Sequence, residues 1–122
     1  MKKIFIFVSF LCISALAYAG LITPILKNAT TVAAGAGVNM PQYPNRWFQA
    51  TLTASGAASA TVEVDGSTDN TNWVPIVTIT LPNTGTGAYT DAVATAQTAP
   101  YVRGNVTAIS GVNAAVTLVS GE

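Results

Sequence analysis

Few side chains in this sequence could carry out chemistry, and the closest pair is Glu63 and Asp65. The sequence contains no histidine, and its one cysteine, Cys12, lies near the N-terminus. Nucleophilic systems that pair serine or cysteine with histidine are therefore absent, as are most transition-metal ligand sets. Glu63 and Asp65 would project from one face of a strand, but paired carboxylates need a cleft that raises one pKa before they catalyse acid–base reactions. We expect no catalytic residue, no cofactor and no enzymatic activity.

The segment from Gly66 to Asn72 is rich in side-chain oxygen atoms. Calcium binds six to eight oxygen ligands, so Asp65, Asp69, Asn70 and Asn72 are candidate calcium ligands. Their spacing lacks the alternating acidic pattern and the terminal glutamate of an EF-hand loop. Asx side chains that cap a tight turn explain the same residues without an ion, and this second interpretation is favoured.

The aromatic residues predict one core anchor and one contact surface. Trp73 aligns with the apolar face of its strand, which predicts that it is buried in the core. Trp47 precedes Phe48 in a strand-like run, so one of the two points away from the core. If Trp47 points outward near Tyr43 and Arg46, these three residues form a surface for a protein partner or a sugar.

The elements that must position these side chains are short strands. The strongest pattern runs from Ala58 to Leu81, where two alternating β-branched runs flank the turn-forming segment and predict a hairpin. Further strands are expected at residues 46–54, 88–95, 101–109 and 114–120, and no helical period with caps is present after the N-terminus. The prediction is all-β: a single small antiparallel β-sandwich of six to eight strands, Ig-like or jelly-roll-like, after an N-terminal signal helix.

One pattern of strand, Ser-Gly turn and strand occurs twice, at residues 52–62 and 106–118. Two hairpins of this kind facing each other would build a two-sheet sandwich, and residues 101–120 are predicted to be the last hairpin. The alternative is that short Thr/Ala/Val strands resemble one another by chance, because two copies do not make a repeat array.

The N-terminus has the three parts of a secretory signal: a basic start, an apolar run from Ile4 to Leu16, and the small-residue site Ala17-Tyr18-Ala19. The predicted division is a signal peptide at 1–19, an N-terminal arm and loop at 20–45, and a sandwich domain at 46–122. The apolar run is shorter than the roughly 20 residues that span a bilayer, which favours cleavage over a retained anchor at residues 4–19.

Cleavage after Ala19 would leave three basic and five acidic residues, a formal charge of −2. Nucleic-acid binding normally requires a basic patch, so it is not expected. The expected location is exported, periplasmic or extracellular, with membrane contact only through residues 4–19 if they are retained.

Two blocks resemble the small β-sandwich virion proteins of tailed bacteriophages: Val62–Leu81, VEVDGSTDNTNWVPIVTITL, and Ala99–Gly121, APYVRGNVTAISGVNAAVTLVSG. In those proteins a strand ending in G-S-x-D-x-x-N-W precedes a Thr/Ile strand, and Y-V-R-x-N-V-T-A-I-S-G precedes the last strand. The resemblance implies a head-decoration, minor capsid or tail-associated role without catalysis, and Trp73, Tyr101 and Arg103 match its pattern. The export signal is a departure, because such virion proteins usually lack one.

The expected function is therefore that of a non-enzymatic structural or decoration subunit of an extracellular assembly, most plausibly on a virion surface, with protein neighbours as partners. The segment 20–29 is expected to add to a neighbouring subunit as an arm or strand. One alternative is a secreted glycan- or surface-binding module that uses Tyr43, Trp47 and the loop from Asp65 to Asn72. Another is an envelope protein anchored through residues 4–19.

Overall fold

The computed structural model describes residues 22–40, 45–83 and 87–121. Within these ranges the chain forms β-strands and no helix, which confirms the all-β prediction. The predicted signal helix at 1–19 lies outside the described residues. The strands are β1 (Thr23–Ala29), β2 (Ala33–Ala34), β3 (Val38–Asn39), β4 (Arg46–Ala54), β5 (Ala58–Ser67), β6 (Val74–Asn83), β7 (Gly87–Thr95), β8 (Tyr101–Ser110) and β9 (Ala115–Gly121).

The strands form two antiparallel sheets. The front sheet has the order β1-β9-β4-β7. The back sheet has the order β2-β8-β5-β6, and β3 also pairs with β8. Consecutive strands β4 and β5 lie in different sheets, as do β6 and β7, so the chain crosses repeatedly between the two layers.

The core lies between the sheets and follows from the alternation of side chains along each strand. In β4, Phe48, Ala50 and Leu52 point inward and are completely buried. Val62 and Val64 of β5 face them from the back sheet and are also completely buried. Burying an apolar side chain of this size stabilises the fold by roughly 1.5–3 kcal/mol, so this shared interior is what holds the two layers together.

The predicted β5–β6 hairpin is confirmed, but it contains a bulge that moves Trp73. Val64 pairs with Val77 and Asp65 pairs with Pro75, which makes Ile76 an extra residue on β6. A bulge interrupts the alternation of side chains along its strand. Trp73 precedes β6, is only partly buried and does not belong to the core cluster, so the prediction that it anchors the core is wrong.

The two Ser-Gly turns are corners between the sheets rather than hairpins. β8 lies in the back sheet and β9 in the front sheet, so the predicted hairpin at 101–120 is wrong. The β4–β5 and β8–β9 corners pack side by side, and the Ser55 N–H donates to the Val112 carbonyl at 3.0 Å. Gly111 has a φ of +119°, and a Cβ there would lie 2.5 Å from the Cβ of Ala58. The repeated sequence pattern therefore corresponds to two adjacent corners.

The segment predicted to be an N-terminal arm belongs to both sheets. β1 pairs with β9 and places Leu26 opposite Leu118, while Ile25 is buried in the core. β2 and β3 pair with β8 in the back sheet. A domain boundary at residue 46 would cut through both sheets, and β1 already has a strand partner within its own chain.

Candidate interaction surfaces

The front sheet has four strands, and three of them, β4, β7 and β9, carry no charged side chain on the outer surface. Because Phe48, Ala50 and Leu52 fill the core, the alternate residues of β4 point outward. The register places small or neutral residues beside them on both neighbouring strands. We call this surface the front face; it consists of Trp47, Gln49, Thr51 and Thr53 of β4, Ala88, Thr90, Ala92 and Ala94 of β7, and Ala115, Thr117, Val119 and Gly121 of β9.

Trp47 is the one large aromatic residue of the front face and is 54% exposed. Its register neighbours are Ala94 on β7 and Gly121 on β9. Among the described residues, none has an atom within 4 Å of a Cβ built on Gly121, so the indole does not lie over this glycine. An exposed ring therefore stands next to an open notch on the same surface.

Of the three residues predicted to form a contact surface, the structure places Trp47 on the front face and Arg46 away from it. Trp47 is exposed, whereas Arg46 is 2% exposed and its Nη1 donates to the Met40 sulfur at 3.1 Å. Consecutive strand residues point to opposite faces, so Arg46 and Trp47 of β4 project to opposite sides of the sheet. The burial of Arg46 removes it from the predicted surface. Tyr43 lies outside the described residues.

The loop between β5 and β6 is held together by Asp69. Its Oδ1 accepts hydrogen bonds from the N–H groups of Thr71 at 2.9 Å and Asn72 at 2.8 Å, and from the Ser67 hydroxyl at 2.9 Å. Its Oδ2 accepts one from Asn72 Nδ2 at 2.7 Å. The bonds from Asn72, Thr71 and Ser67 hold the pKa of Asp69 well below its usual range, because each of them stabilises the ionised carboxylate.

Three of the four candidate calcium ligands, Asp65, Asp69 and Asn72, form hydrogen bonds or ion pairs within the protein. Asp69 uses both carboxylate oxygens inside its own loop, Asn70 adopts a φ of 58° in the turn, and Asp65 forms an ion pair with Arg103. In the described ranges, no group of three or more acidic, histidine or cysteine side chains could hold a metal ion. The loop geometry is that of an Asx-capped turn.

A buried ion pair joins β5 to β8 on the outer side of the back sheet. Asp65 lies opposite Arg103 in the register, and the Arg103 Nε donates to Asp65 Oδ2 at 2.9 Å. The guanidinium carbon lies 4.5 Å from the centroid of the Trp73 ring, within cation–π range. Asp65 Oδ1 is buried and has no hydrogen-bond partner among the described residues.

Glu63, predicted to lie beside Asp65, is partly exposed and lies opposite Asn105 on β8. The two carboxylates therefore have different surroundings. The Asp65 carboxylate forms an ion pair with Arg103. It is therefore not a proton acceptor that is open to substrate.

A cavity of about 510 Å³ opens where the β5–β6 loop meets the segment before β8. We call it the loop cavity, and none of its lining side chains is ionisable. A Cβ at Gly66 would lie 2.5 Å from Ile76 Cδ1 and 2.9 Å from Ala99 Cβ, so a larger residue there would displace these lining side chains. The lining consists of Gly66, Ser67, Thr68, Asn72, Val74, Pro75, Ile76, Gln97, Thr98 and Ala99. Residues 97–99 are distant from the loop in sequence, so no local pattern could have predicted this cavity.

No protein-family model, curated protein or solved structure matches this chain. Among the described residues, none forms a helix with the length and hydropathy needed to cross a membrane. The front face and the loop cavity are therefore assessed on their own geometry.

Proposed function

We propose that this chain is a non-enzymatic structural subunit of an extracellular assembly, acting as a decoration, minor capsid or tail-associated protein of a virion. The observation that carries the proposal is the front face, a neutral sheet surface with Trp47 exposed on it. The centre of a protein–protein interface is depleted of charged residues and enriched in aromatic ones. The front face shares the depletion of charge and exposes one aromatic ring, that of Trp47.

The order of the strands supports the same proposal. If β2 and β3 are counted as one interrupted edge strand, the sheets read 1-8-3-6 and 2-7-4-5, which we classify as a jelly roll of eight strands. Viral capsid domains use this fold, and lectin domains use it as well. The fold alone does not decide between these functions, so the surface features must carry the distinction.

The edge strands of both sheets are unsuited to pairing with a strand of another subunit, which favours contact through the flat surfaces of the sheets. β6 has Pro75 and Pro82 at its two ends, and β1 has Pro24 and two register shifts. β7 carries Asp91 opposite the inward-facing Ala50, while β2 and β3 have two residues each. Prolines, short strands, bulges and inward-pointing charges all discourage the edge-to-edge addition of a further strand. Neighbours in an assembly would therefore contact the sheet surfaces.

The experiment is to recover the exported chain from a producing culture and to follow it through particle purification by mass spectrometry and electron microscopy. We expect it in the particle fraction in multiple copies. A chain that sediments as a monomer at every concentration and is absent from every particle fraction would overturn the proposal.

The loop cavity favours a second candidate, a secreted module that binds glycans. The amides of Asn72 and Gln97 and the hydroxyl of Thr68 lie beside an apolar wall that includes Val74, and neutral sugars need both hydrogen bonds and apolar contact. Glycan-array binding that is lost on Gln97→Ala but kept on Trp47→Ala would support this candidate. The absence of binding to every glycan would dismiss it.

A further inference from the structure

We propose that the front face binds a second copy of this chain through a twofold axis that runs along the strands, midway between β4 and β9. This inference rests on the proposed assembly function and names the partner and the contact surface. It follows from three properties of the front face: its strand order, the positions of Trp47 and Gly121, and the matching of its polar rows.

The strand order makes the front sheet symmetric about this axis. In the order β1-β9-β4-β7, the line between β9 and β4 has two strands on each side. The axis is parallel to this line and lies above it, in the interface between the two copies. A half-turn about the axis brings the front face of one copy onto that of the other. It lays β4 over β9 of the second copy and β7 over β1, so the four-stranded faces overlap completely. An axis parallel to the strands but placed elsewhere on the sheet would leave at least one strand uncovered.

The same half-turn places the exposed ring over the open notch. Trp47 and Gly121 are register partners on adjacent strands, roughly 4.8 Å apart and on opposite sides of the axis. Trp47 of each copy would therefore lie over Gly121 of the other. The residues that the structure describes place no atom within 4 Å of a Cβ built on Gly121, so they leave this space open. Tryptophan is among the residues that most often anchor interfaces when buried in such a site.

The polar side chains of the front face also match under this rotation. Thr51 lies opposite Thr117, so each would face the other across the interface. Thr51 Oγ1 is 3.0 Å from Thr90 Oγ1, and Thr117 Oγ1 donates to Asn28 Oδ1 at 3.3 Å. A polar row of three hydroxyls and the Asn28 amide thus crosses all four strands and meets itself after the half-turn. With no charge on the outward side of β4, β7 or β9, self-association brings no like charges together there. Lys27 of β1 is exposed, and the strand of the other copy that would lie over β1 is β7, which has no basic residue.

The surface area that this dimer would bury predicts weak association. Four strands at 4.8 Å spacing and seven residues at 3.4 Å give roughly 450 Å² per copy, or roughly 900 Å² in total. Stable complexes bury about 1,200–2,000 Å², so we expect a dissociation constant on the order of 10⁻⁴ M for the isolated dimer. Many such contacts acting together in an assembly would hold much more tightly.

The test compares three variants of the exported chain by sedimentation equilibrium up to about 1 mM, a ceiling set by the expected weak affinity. Trp47→Ala removes the ring and Gly121→Leu fills the notch; each should weaken dimerisation about tenfold or more, the loss typical of an interface anchor. Gly56→Leu is the matched control, because a Cβ at Gly56 also meets no atom within 4 Å and this residue lies in the β4–β5 corner. It should leave dimerisation unchanged. Circular dichroism of each variant checks that the fold is retained.

The geometry has its own test. Thr51→Cys and Thr117→Cys single variants, mixed and treated with a short bismaleimide cross-linker, should give mainly the mixed cross-linked dimer, because each residue faces the other across the axis. A cross-linker is needed because sheets packed face to face lie about 10 Å apart, which is too far for a disulfide. Homodimers in excess, or a dimer that Gly121→Leu leaves intact, would overturn the inference while leaving the assembly function standing. A chain that is monomeric at every concentration but present in particles would also overturn the inference alone. Absence from particles would overturn both.

Discussion

Replacing Arg103 by methionine should destabilise the fold by about 3–4 kcal/mol, because it leaves a buried carboxylate without its counter-ion. The Asp65 side chain is 4% exposed, whereas that of Arg103 is 24% exposed. Removing one partner from a fully buried ion pair costs about 3–5 kcal/mol, and the partial exposure of Arg103 places the expected cost in the lower part of that range. Loss of the contact with Trp73 contributes about 0.5–1 kcal/mol of it.

The double variant Asp65→Asn/Arg103→Met separates the buried charge from the other contacts. It removes the charge together with its counter-ion, so the remaining cost is that of a buried asparagine amide without its hydrogen-bond partner and of the lost ring contact, about 2–3 kcal/mol. The double variant should therefore be more stable than Arg103→Met alone. The expectation that distinguishes a buried charge from other causes is that the second mutation raises the free energy of unfolding above that of Arg103→Met.

The assay is urea unfolding at pH 7, followed by circular dichroism, with the free energy of unfolding obtained by linear extrapolation. Equal m-values among the variants are required for the comparison, because a changed m-value signals a changed denatured or native state. The single variant Asp65→Asn serves as the control that keeps Arg103. A cost below about 1 kcal/mol for Arg103→Met, the value typical of an exposed pair, would refute the reasoning, as would a double variant no more stable than the single one.

Three further predictions concern a corner, a loop and the N-terminus. Gly111→Ala should destabilise the fold by about 3 kcal/mol in urea unfolding because strain at positive φ is added to a clash with Ala58. Gly87→Ala should cost about half as much, because Gly87 has a φ of +110° but a Cβ there would meet no atom of the described residues within 4 Å. Equal costs would contradict the proposed clash. The pKa of Asp69 is lowered in the fold. Its carboxylate therefore stabilises the protein above the unfolded pKa of about 3.9, and this contribution is lost as the pH falls further. The melting temperature of Asp69→Asn should lie below that of the natural chain at pH 7 and approach it at pH 2. A constant gap would argue against the loop bonds as its origin. The intact mass of the exported chain should lack the 19 residues through Ala19, and a retained N-terminus would favour the anchored envelope protein.

The sequence by itself determined the class of fold and the inward-facing sides of the central strands. Alternation between successive residues is a local property, so it predicted the buried faces of β4 and β5 and the β5–β6 hairpin. The same alternation, applied to neighbouring residues of β4, places Arg46 on the side opposite Trp47. The absence of histidine likewise limited the available chemistry, because the set of side chains is the same however the chain folds.

Only the tertiary structure decided which strands lie side by side. A strand pattern shows which residues share a face, but it does not identify the neighbouring strand, because pairing joins residues far apart in the chain. The bond between Asp65 and Arg103 spans 38 positions, and the pairing of β1 with β9 joins the two ends of the described chain. The notch at Gly121 beside Trp47 depends on such a pairing, because a glycine leaves open space next to a ring only when its strand is placed against that of the ring.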